Sequence, residues 1–151
     1  MKKILMVCLG NICRSPLAEG ILQSKLSLEK FKIDSAGTAG YHVGELPDKR
    51  SIEVAKKYGI DITNQRSRKF TKKDFDEFDM IFAMDRSNYD DIVAMSDNVT
   101  QRKKVKMILN ELYPGEDMGV PDPYYGGNQG FENVYQMLDE VCEIIASKIR
   151  K

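Results

Sequence analysis

The chain has 151 residues, 42% hydrophobic and 30% charged, which is enough to bury a core without disulfide staples. Its 23 Lys and Arg balance 23 Asp and Glu, giving zero formal net charge, so there is no general electrostatic reason to expect binding to nucleic acid or a membrane surface, and any bound anion must be held locally. The apolar run after Met1-Lys2-Lys3 is too short for a signal peptide and no run could span a bilayer, so a cytoplasmic protein with no membrane insertion is expected.

Lys3 to Val7 is a short, continuous apolar run that predicts a buried strand of a parallel sheet, with Cys8 at its carboxyl end. Ser15 as N-cap and Pro16 as first helical residue then predict a helix carrying Leu17, Ile21, Leu22 and Leu26. Phe31 to Asp34 predicts a second strand ending at Ser35-Ala36-Gly37, and Pro47 to Lys57 a helix closed by Tyr58-Gly59. Met80 to Ala83 is a third strand, Arg86 to Met95 a helix, and Val105 to Leu109 a fourth strand. The last helix presents Phe131, Val134, Tyr135, Leu138, Val141, Cys142, Ile145 and Ile149 on one face. Strands alternating with helices imply an α/β three-layer sandwich, a four-stranded parallel sheet with helices on both faces; its order is taken as the flavodoxin-like 2-1-3-4, one of the two common arrangements, both of which favour the loop after the first strand as the site. No repeat or linker divides it, so residues 1–151 are read as a single domain.

In such a sheet ligands bind beyond the carboxyl ends of the strands, where the strand order reverses, and that places Cys8 to Ser15 at the site. Five residues separate Cys8 from Arg14. A loop of that length closing on one tetrahedral anion turns successive backbone N–H groups inward, beside the first helix's amino terminus. The phosphate-binding candidates are therefore Leu9, Gly10, Asn11, Ile12, Cys13, Arg14 and Ser15. Arg14 offers a planar fork matched to two phosphate oxygens. The same donors favour a thiolate at Cys8, a ready nucleophile. Asn11 tolerates left-handed backbone angles, Gly10 needs no side-chain room, and Ser15 is placed to donate to the sulfur. Cys8, Cys13, Cys142 and the lone His42 lack the paired spacing of a structural zinc site, so no metal and no cofactor are expected.

The segment Val7-Cys8-Leu9-Gly10-Asn11-Ile12-Cys13-Arg14-Ser15-Pro16 resembles the active-site loop of low-molecular-weight protein tyrosine phosphatases. Asp34-Ser35-Ala36-Gly37-Thr38, Ala83-Met84-Asp85-Arg86-Ser87-Asn88 and Pro121-Asp122-Pro123-Tyr124-Tyr125-Gly126 are similar to the same family, nearly end to end. The resemblance implies hydrolysis of phosphotyrosine in proteins by a metal-independent, monomeric enzyme. It also implies that Asp122 is the general acid that protonates the leaving phenolate and later activates water, a cycle one carboxyl can perform. Tyr124 and Tyr125 would line the cleft, and Tyr41 with Leu9 and Ile12 would form apolar walls for an aromatic ring. Ile12 stands where the family's arginine phosphatases place threonine, which favours phosphotyrosine.

The chain departs from the family pattern at Tyr41, where many bacterial members have Trp, and at Asn64 or Gln65, where a supporting histidine is usual, so the network around Asn11, Ser15 and Ser35 is open to different wiring. His42 reads as a loop residue. Cys13 has two readings of equal weight, a thiol that traps an oxidised Cys8 as a disulfide and a small apolar filler behind the loop. A thiol-dependent arsenate reductase would need further cysteines that the segment Phe82 to Tyr89 lacks, and a non-catalytic phosphate-binding module would not need both Cys8 and Asp122. The basic run Arg66, Arg68, Lys69, Lys72 and Lys73 reads as solvated surface.

Overall fold

A computed structural model describes residues 1–125 and 127–150, without the side chain of Tyr125. Four strands, β1 (Lys2–Cys8), β2 (Phe31–Gly37), β3 (Met80–Ala83) and β4 (Val105–Met107), form one parallel sheet in the order β2-β1-β3-β4. The expected order 2-1-3-4 is therefore the observed one. β1 pairs with β2 through Cys8 opposite Gly37, and with β3 through Val7 opposite Ala83. The connection leaves β1 toward β2 on one side and β3 lies on the other, so the end of β1 opens onto the crevice where strand order reverses.

The continuous apolar run of β1 follows from burial on both faces. Ile4 and Met6 pack into one cluster with Leu17, Ile21 and Leu22 of α1 (Arg14–Lys25), Val54 of α2 (Lys49–Lys57) and the apolar face of α6 (Gly127–Ile149). Leu5 and Val7 point the other way, to Phe75 of α3 (Lys73–Glu77), Ile81 and Ala83 of β3, and Ile92 of α4 (Arg86–Met95). Alternate residues of a strand face opposite sides, so one run feeds two cores. Fully burying each of these side chains contributes about 1.5–3 kcal/mol. Gly20 lets α1 approach the chain after α2, since a Cβ there would lie 2.6 Å from the Ile62 side chain.

Three local expectations are corrected. The helix begins at Arg14 with Cys13 at the N-cap and no side-chain cap, so Ser15 is inside its first turn rather than at its cap; the Ser15 hydroxyl is engaged with Cys8 and Asn11 instead. The second helix starts at Lys49, capped by the Asp48 carboxylate, which accepts from the Arg50 amide at 2.8 Å. The fourth strand stops at Met107, and Ile108 to Glu111 form a 3-10 turn in which Ile108 and Leu109 are still fully buried. A buried apolar run does not by itself distinguish strand from turn. The short helices α3 and α5 (Val99–Lys103) carry too few apolar residues to show a period and were not expected from the sequence.

Candidate active site

Residues 8 to 14 wrap from the end of β1 to the start of α1, and five of their carbonyls are drawn outward. Cys8 O accepts from the Thr38 amide at 2.9 Å, Leu9 O from Ala39 at 2.9 Å and Ile12 O from Asp48 at 2.7 Å. Gly10 O accepts from the Ser67 hydroxyl at 3.0 Å and Cys13 O from the Ser51 hydroxyl at 3.4 Å. In a trans peptide the N–H points opposite to its carbonyl. Outward carbonyls at 8, 9, 10, 12 and 13 therefore turn the amides of Leu9, Gly10, Asn11, Cys13 and Arg14 inward, toward a common centre. Asn11 makes the bend at φ 57°, a left-handed angle that Asn tolerates better than most residues. Gly37, paired with Cys8, permits the close approach: a Cβ there would lie 2.7 Å from Leu9 O and 3.1 Å from the Asn11 amide nitrogen.

The loop encloses one end of a cleft of about 230 Å3 lined by Cys8, Leu9, Gly10, Ile12, Cys13 and Arg14, with Tyr41, His42, Asp122 and Tyr124 opposite. Tyr41 is 76% exposed and stands at the rim. His42 faces Glu45 at 2.8 Å through Nδ1 and also lines the cleft, which the loop-residue reading does not include. Asn11 and Ser15 are outside the lining; both are buried and their side chains form a brace behind the loop. The expected cleft residue Tyr125 has its side chain outside the described residues.

That brace has a fixed direction. Asn11 Oδ1 accepts from the Arg68 amide at 3.0 Å, so its Nδ2 must donate, and it does so to Ser15 Oγ at 2.8 Å and Ser35 Oγ at 2.9 Å. Ser35 in turn donates to the buried Glu19 carboxyl at 2.6 Å. Having accepted from Asn11, Ser15 has its own proton left for the Cys8 sulfur, 3.0 Å away. Glu19 supplies the support that the sequence leaves open at Asn64 and Gln65. Asn64 is exposed, and Gln65 Nε2 binds Pro16 O instead. Arg68, in the run read as solvated surface, is ion-paired to Asp34 at 3.2 Å and Asp74 at 3.0 Å, and its amide orients Asn11.

Arg14 is buried, with Nη1 held by the Asp85 carboxylate at 2.6 Å and by Val120 O at 2.8 Å. Two of its five N–H donors are thereby spent on one nitrogen, and Nε and Nη2 remain as a fork. Nη2 lies 4.0 Å from Asp122, whose side chain is 43% exposed. Asp122 Oδ1 accepts from the Tyr124 amide at 3.0 Å, which holds the carboxyl at the mouth. Cys13 is buried, and burial above all, with the negative charge of Asp48 next, pushes its thiol up to about 12. All three cysteines are free thiols.

Sequence reasoning missed Glu19, Asp85 and the Asp48–Arg50 pair. Asp85 had a signal, since a buried arginine closing the loop after β1 requires a carboxylate and Asp85 lies two residues past the end of β3, the adjacent strand. Glu19 had none, because a lone acid on a helix carries no mark of the serine it will face.

The family model described as low molecular weight phosphotyrosine protein phosphatase matches residues 3–151. The chain belongs to this family. A low molecular weight phosphotyrosine protein phosphatase of Schizosaccharomyces pombe is 46% identical over 143 residues, spanning 91% of this chain and 90% of the relative. The crystal structure of a protein tyrosine phosphatase from Entamoeba histolytica with Hepes in its active site superposes with a TM-score of 0.92 at 38% identity, covering 99% of this chain and 97% of that one. Vibrio vulnificus Wzb in complex with benzylphosphonate does so with a TM-score of 0.87 at 31% identity, covering 97% and 98%. Protein-tyrosine-phosphatase activity goes with membership of the family. Among the described residues no helix is long and apolar enough to cross a membrane.

Proposed function

We propose that this phosphatase hydrolyses phosphotyrosine in proteins, and small aryl phosphates, through a cysteinyl-phosphate on Cys8, with Asp122 acting first as general acid and then as general base. In the first step the Cys8 thiolate attacks phosphorus, the bond from phosphorus to the aryl oxygen breaks, and the Asp122 proton passes to the departing phenolate. In the second step water attacks phosphorus, its proton goes to Asp122, the P–S bond breaks, and inorganic phosphate and the thiolate are released. The inward amides of the loop and the free edge of Arg14 bind the three phosphoryl oxygens and stabilise both transition states. No metal or cofactor takes part. The observation that carries this reading is the set of outward carbonyls on the loop, which aims its amides at one point beside Cys8 and Arg14.

Leu9, Ile12, Tyr41 and Tyr124 supply apolar walls for the ring of the substrate. The ring contact supports an aryl phosphate over an alkyl one, in keeping with the benzylphosphonate named for Vibrio vulnificus Wzb. Reduction of arsenate is disfavoured: Cys13 and Cys142 are both buried, and burial above all pushes each thiol up to about 12, so neither offers a second thiolate to carry a disulfide onward. We further read residues 1–151 as one unit acting as a monomer in the cytoplasm, on protein rather than nucleic acid, which the zero net charge supports.

Phosphate release from peptides carrying phosphotyrosine, phosphoserine or phosphoarginine tests the reading directly. Turnover is expected for phosphotyrosine and its loss in Cys8→Ser. Equal rates on phosphoserine would overturn the substrate class, and a Cys8→Ser variant with wild-type rates would overturn the nucleophile.

A further inference from the structure

Arg50 is the second residue of α2, yet its side chain reaches across to the segment that carries Asp122. Its guanidinium carbon lies 5.3 Å from the centroid of the Tyr124 ring and 4.5 Å from that of Phe131. The guanidinium is also held edge-on by both oxygens of Asp48, Nε to Oδ1 at 3.1 Å and Nη2 to Oδ2 at 3.2 Å. Asp48 is in turn bound to the phosphate loop, its amide donating to Ile12 O at 2.7 Å. On the far side, the Tyr124 amide is fixed to the Asp122 carboxylate at 3.0 Å. A continuous set of contacts therefore runs from Ile12 through Asp48 and Arg50 to Tyr124 and Asp122.

We infer that Arg50 is a positioning residue that sets the height of Asp122 over the phosphate loop, by stacking between Phe131 and the Tyr124 ring while its fork is locked to Asp48. The inference rests on the reading of Asp122 as the general acid. The chemistry suits arginine alone among the cations. A guanidinium presents a flat face to the aromatic rings and a two-pronged edge to a carboxylate at the same time, whereas a lysine ammonium offers neither plane nor fork. Asp48 fixes the edge and so leaves the face turned to the rings. The contact lies between two parts of the cleft and touches neither phosphorus nor the sulfur. Its loss would then move the acid and spare the anion site.

This separates into distinct kinetics. A misplaced acid matters most when the leaving group is a poor one, because a good leaving group departs without a proton. For Arg50→Met, which keeps length and apolar volume, kcat/KM for phenyl phosphate is expected to fall about tenfold, a fraction of the 10²–10⁴ a general acid supplies. With p-nitrophenyl phosphate the fall should stay within about threefold, so the dependence of log kcat/KM on leaving-group pKa steepens. Inhibition by inorganic phosphate should change by less than about twofold, since the loop amides and Arg14 are untouched. Arg50→Lys should steepen the dependence almost as much, because it keeps the charge and loses the plane and the fork.

Asp122→Asn is measured beside them. If it steepens the leaving-group dependence and neither Arg50 variant does, the positioning role is overturned while the acid stands. If Asp122→Asn leaves the dependence unchanged, the acid assignment itself has failed, and the Arg50 inference with it. An Arg50 variant that slows all aryl phosphates equally and loses phosphate affinity shows that Arg50 only supports the loop, which also overturns the inference. Should Arg50→Met not fold, Arg50→Lys carries the same test, and wild-type kinetics in it would refute the role.

Discussion

Gly37 shows how much of this site depends on the absence of one atom. It lies outside the loop, on the neighbouring strand, and its backbone angle is not left-handed. Its need for glycine comes from proximity, because a methyl group would press on Leu9 O and the Asn11 amide nitrogen from the side opposite the anion. Gly37→Ala should therefore push the loop inward. Overpacking of this kind costs about 1–3 kcal/mol of stability, while misplacing the loop amides by a fraction of an ångström is expected to lower kcat/KM for aryl phosphates by roughly tenfold, against about 100-fold for a full 1 Å. Steady-state kinetics alongside thermal melts would check this; full activity with a lowered Tm would show that the loop yields without cost to function. At this scale the residues themselves were informative about the loop, and only the family resemblance about part of its backing. Cys8, Gly10, Asn11, Arg14 and Ser15 declare themselves because they are contiguous and each suits an anion nest. Gly37 and Glu19 act on that nest from other elements; the grouping of Asn11, Ser15 and Ser35 came only with the family resemblance, and no local pattern reports its closure on Glu19, 16 residues before Ser35.

At the level of elements, Asp85 joins a helix to an arginine. One of its oxygens caps α4 by accepting from the Asn88 amide at 2.8 Å, and the other holds Arg14 at 2.6 Å. Asp85→Asn keeps an oxygen for the cap but loses the charge that faces Arg14, whereas Asp85→Ala loses both. The alanine variant should be less stable than the asparagine variant by about 1 kcal/mol, the usual worth of a cap. Both should weaken inhibition by inorganic phosphate by about tenfold, because Arg14 is released from its orientation. Urea titrations and phosphate inhibition constants measure the two effects separately, and equal stability in the two variants would remove the capping role. The helices themselves were legible where their apolar period ran long, as in α6, and their ends were less so. Ser15 looked like a cap because it precedes Pro16, but its hydroxyl faces the sulfur, and the uncapped amides of α1 are left for an anion. The fourth strand ended early for a comparable reason: Ile108 and Leu109 are buried against the opposite face, so hydrophobicity continued after pairing had stopped.

For the molecule as a whole, the alternation of strands and helices pointed to a parallel sheet and to the loop after β1 under either common strand order, while the order itself is fixed only by the structure. What composition did not reveal is a pH dependence of folding that originates in Glu19. Burial pushes this carboxyl up to about 7 from its ordinary 4.5; the Ser35 and Gln23 hydrogen bonds and Arg68 oppose the shift, and the Asp34 charge adds to it. A raised carboxyl binds its proton more tightly in the folded state than in the unfolded one. Its contribution to stability is thus fully present below the unfolded value and is lost as pH rises through the folded one, by up to about 3 kcal/mol. Glu19→Gln cannot ionise. The stability of the wild type relative to Glu19→Gln, from urea unfolding at a series of pH values, should therefore decline from about pH 4.5 to about pH 7 and then level off. A difference independent of pH would show that Glu19 titrates alike in both states.

Arg14, finally, is held by Asp85 and Val120, 71 and 106 residues further along the chain. Cys8, the proposed nucleophile, and its loop precede both partners in the chain, but the guanidinium acquires its fixed orientation only after Val120 has joined the fold, and Asp122 lies two residues beyond. A chain emerging from the ribosome would thus carry the Cys8 thiol without a completed site around it until Val120 has been made. Catalytic competence arrives late and together with closure of the fold, so turnover during refolding should track the last cooperative step and lag any signal from the early pairing of β1 with β2.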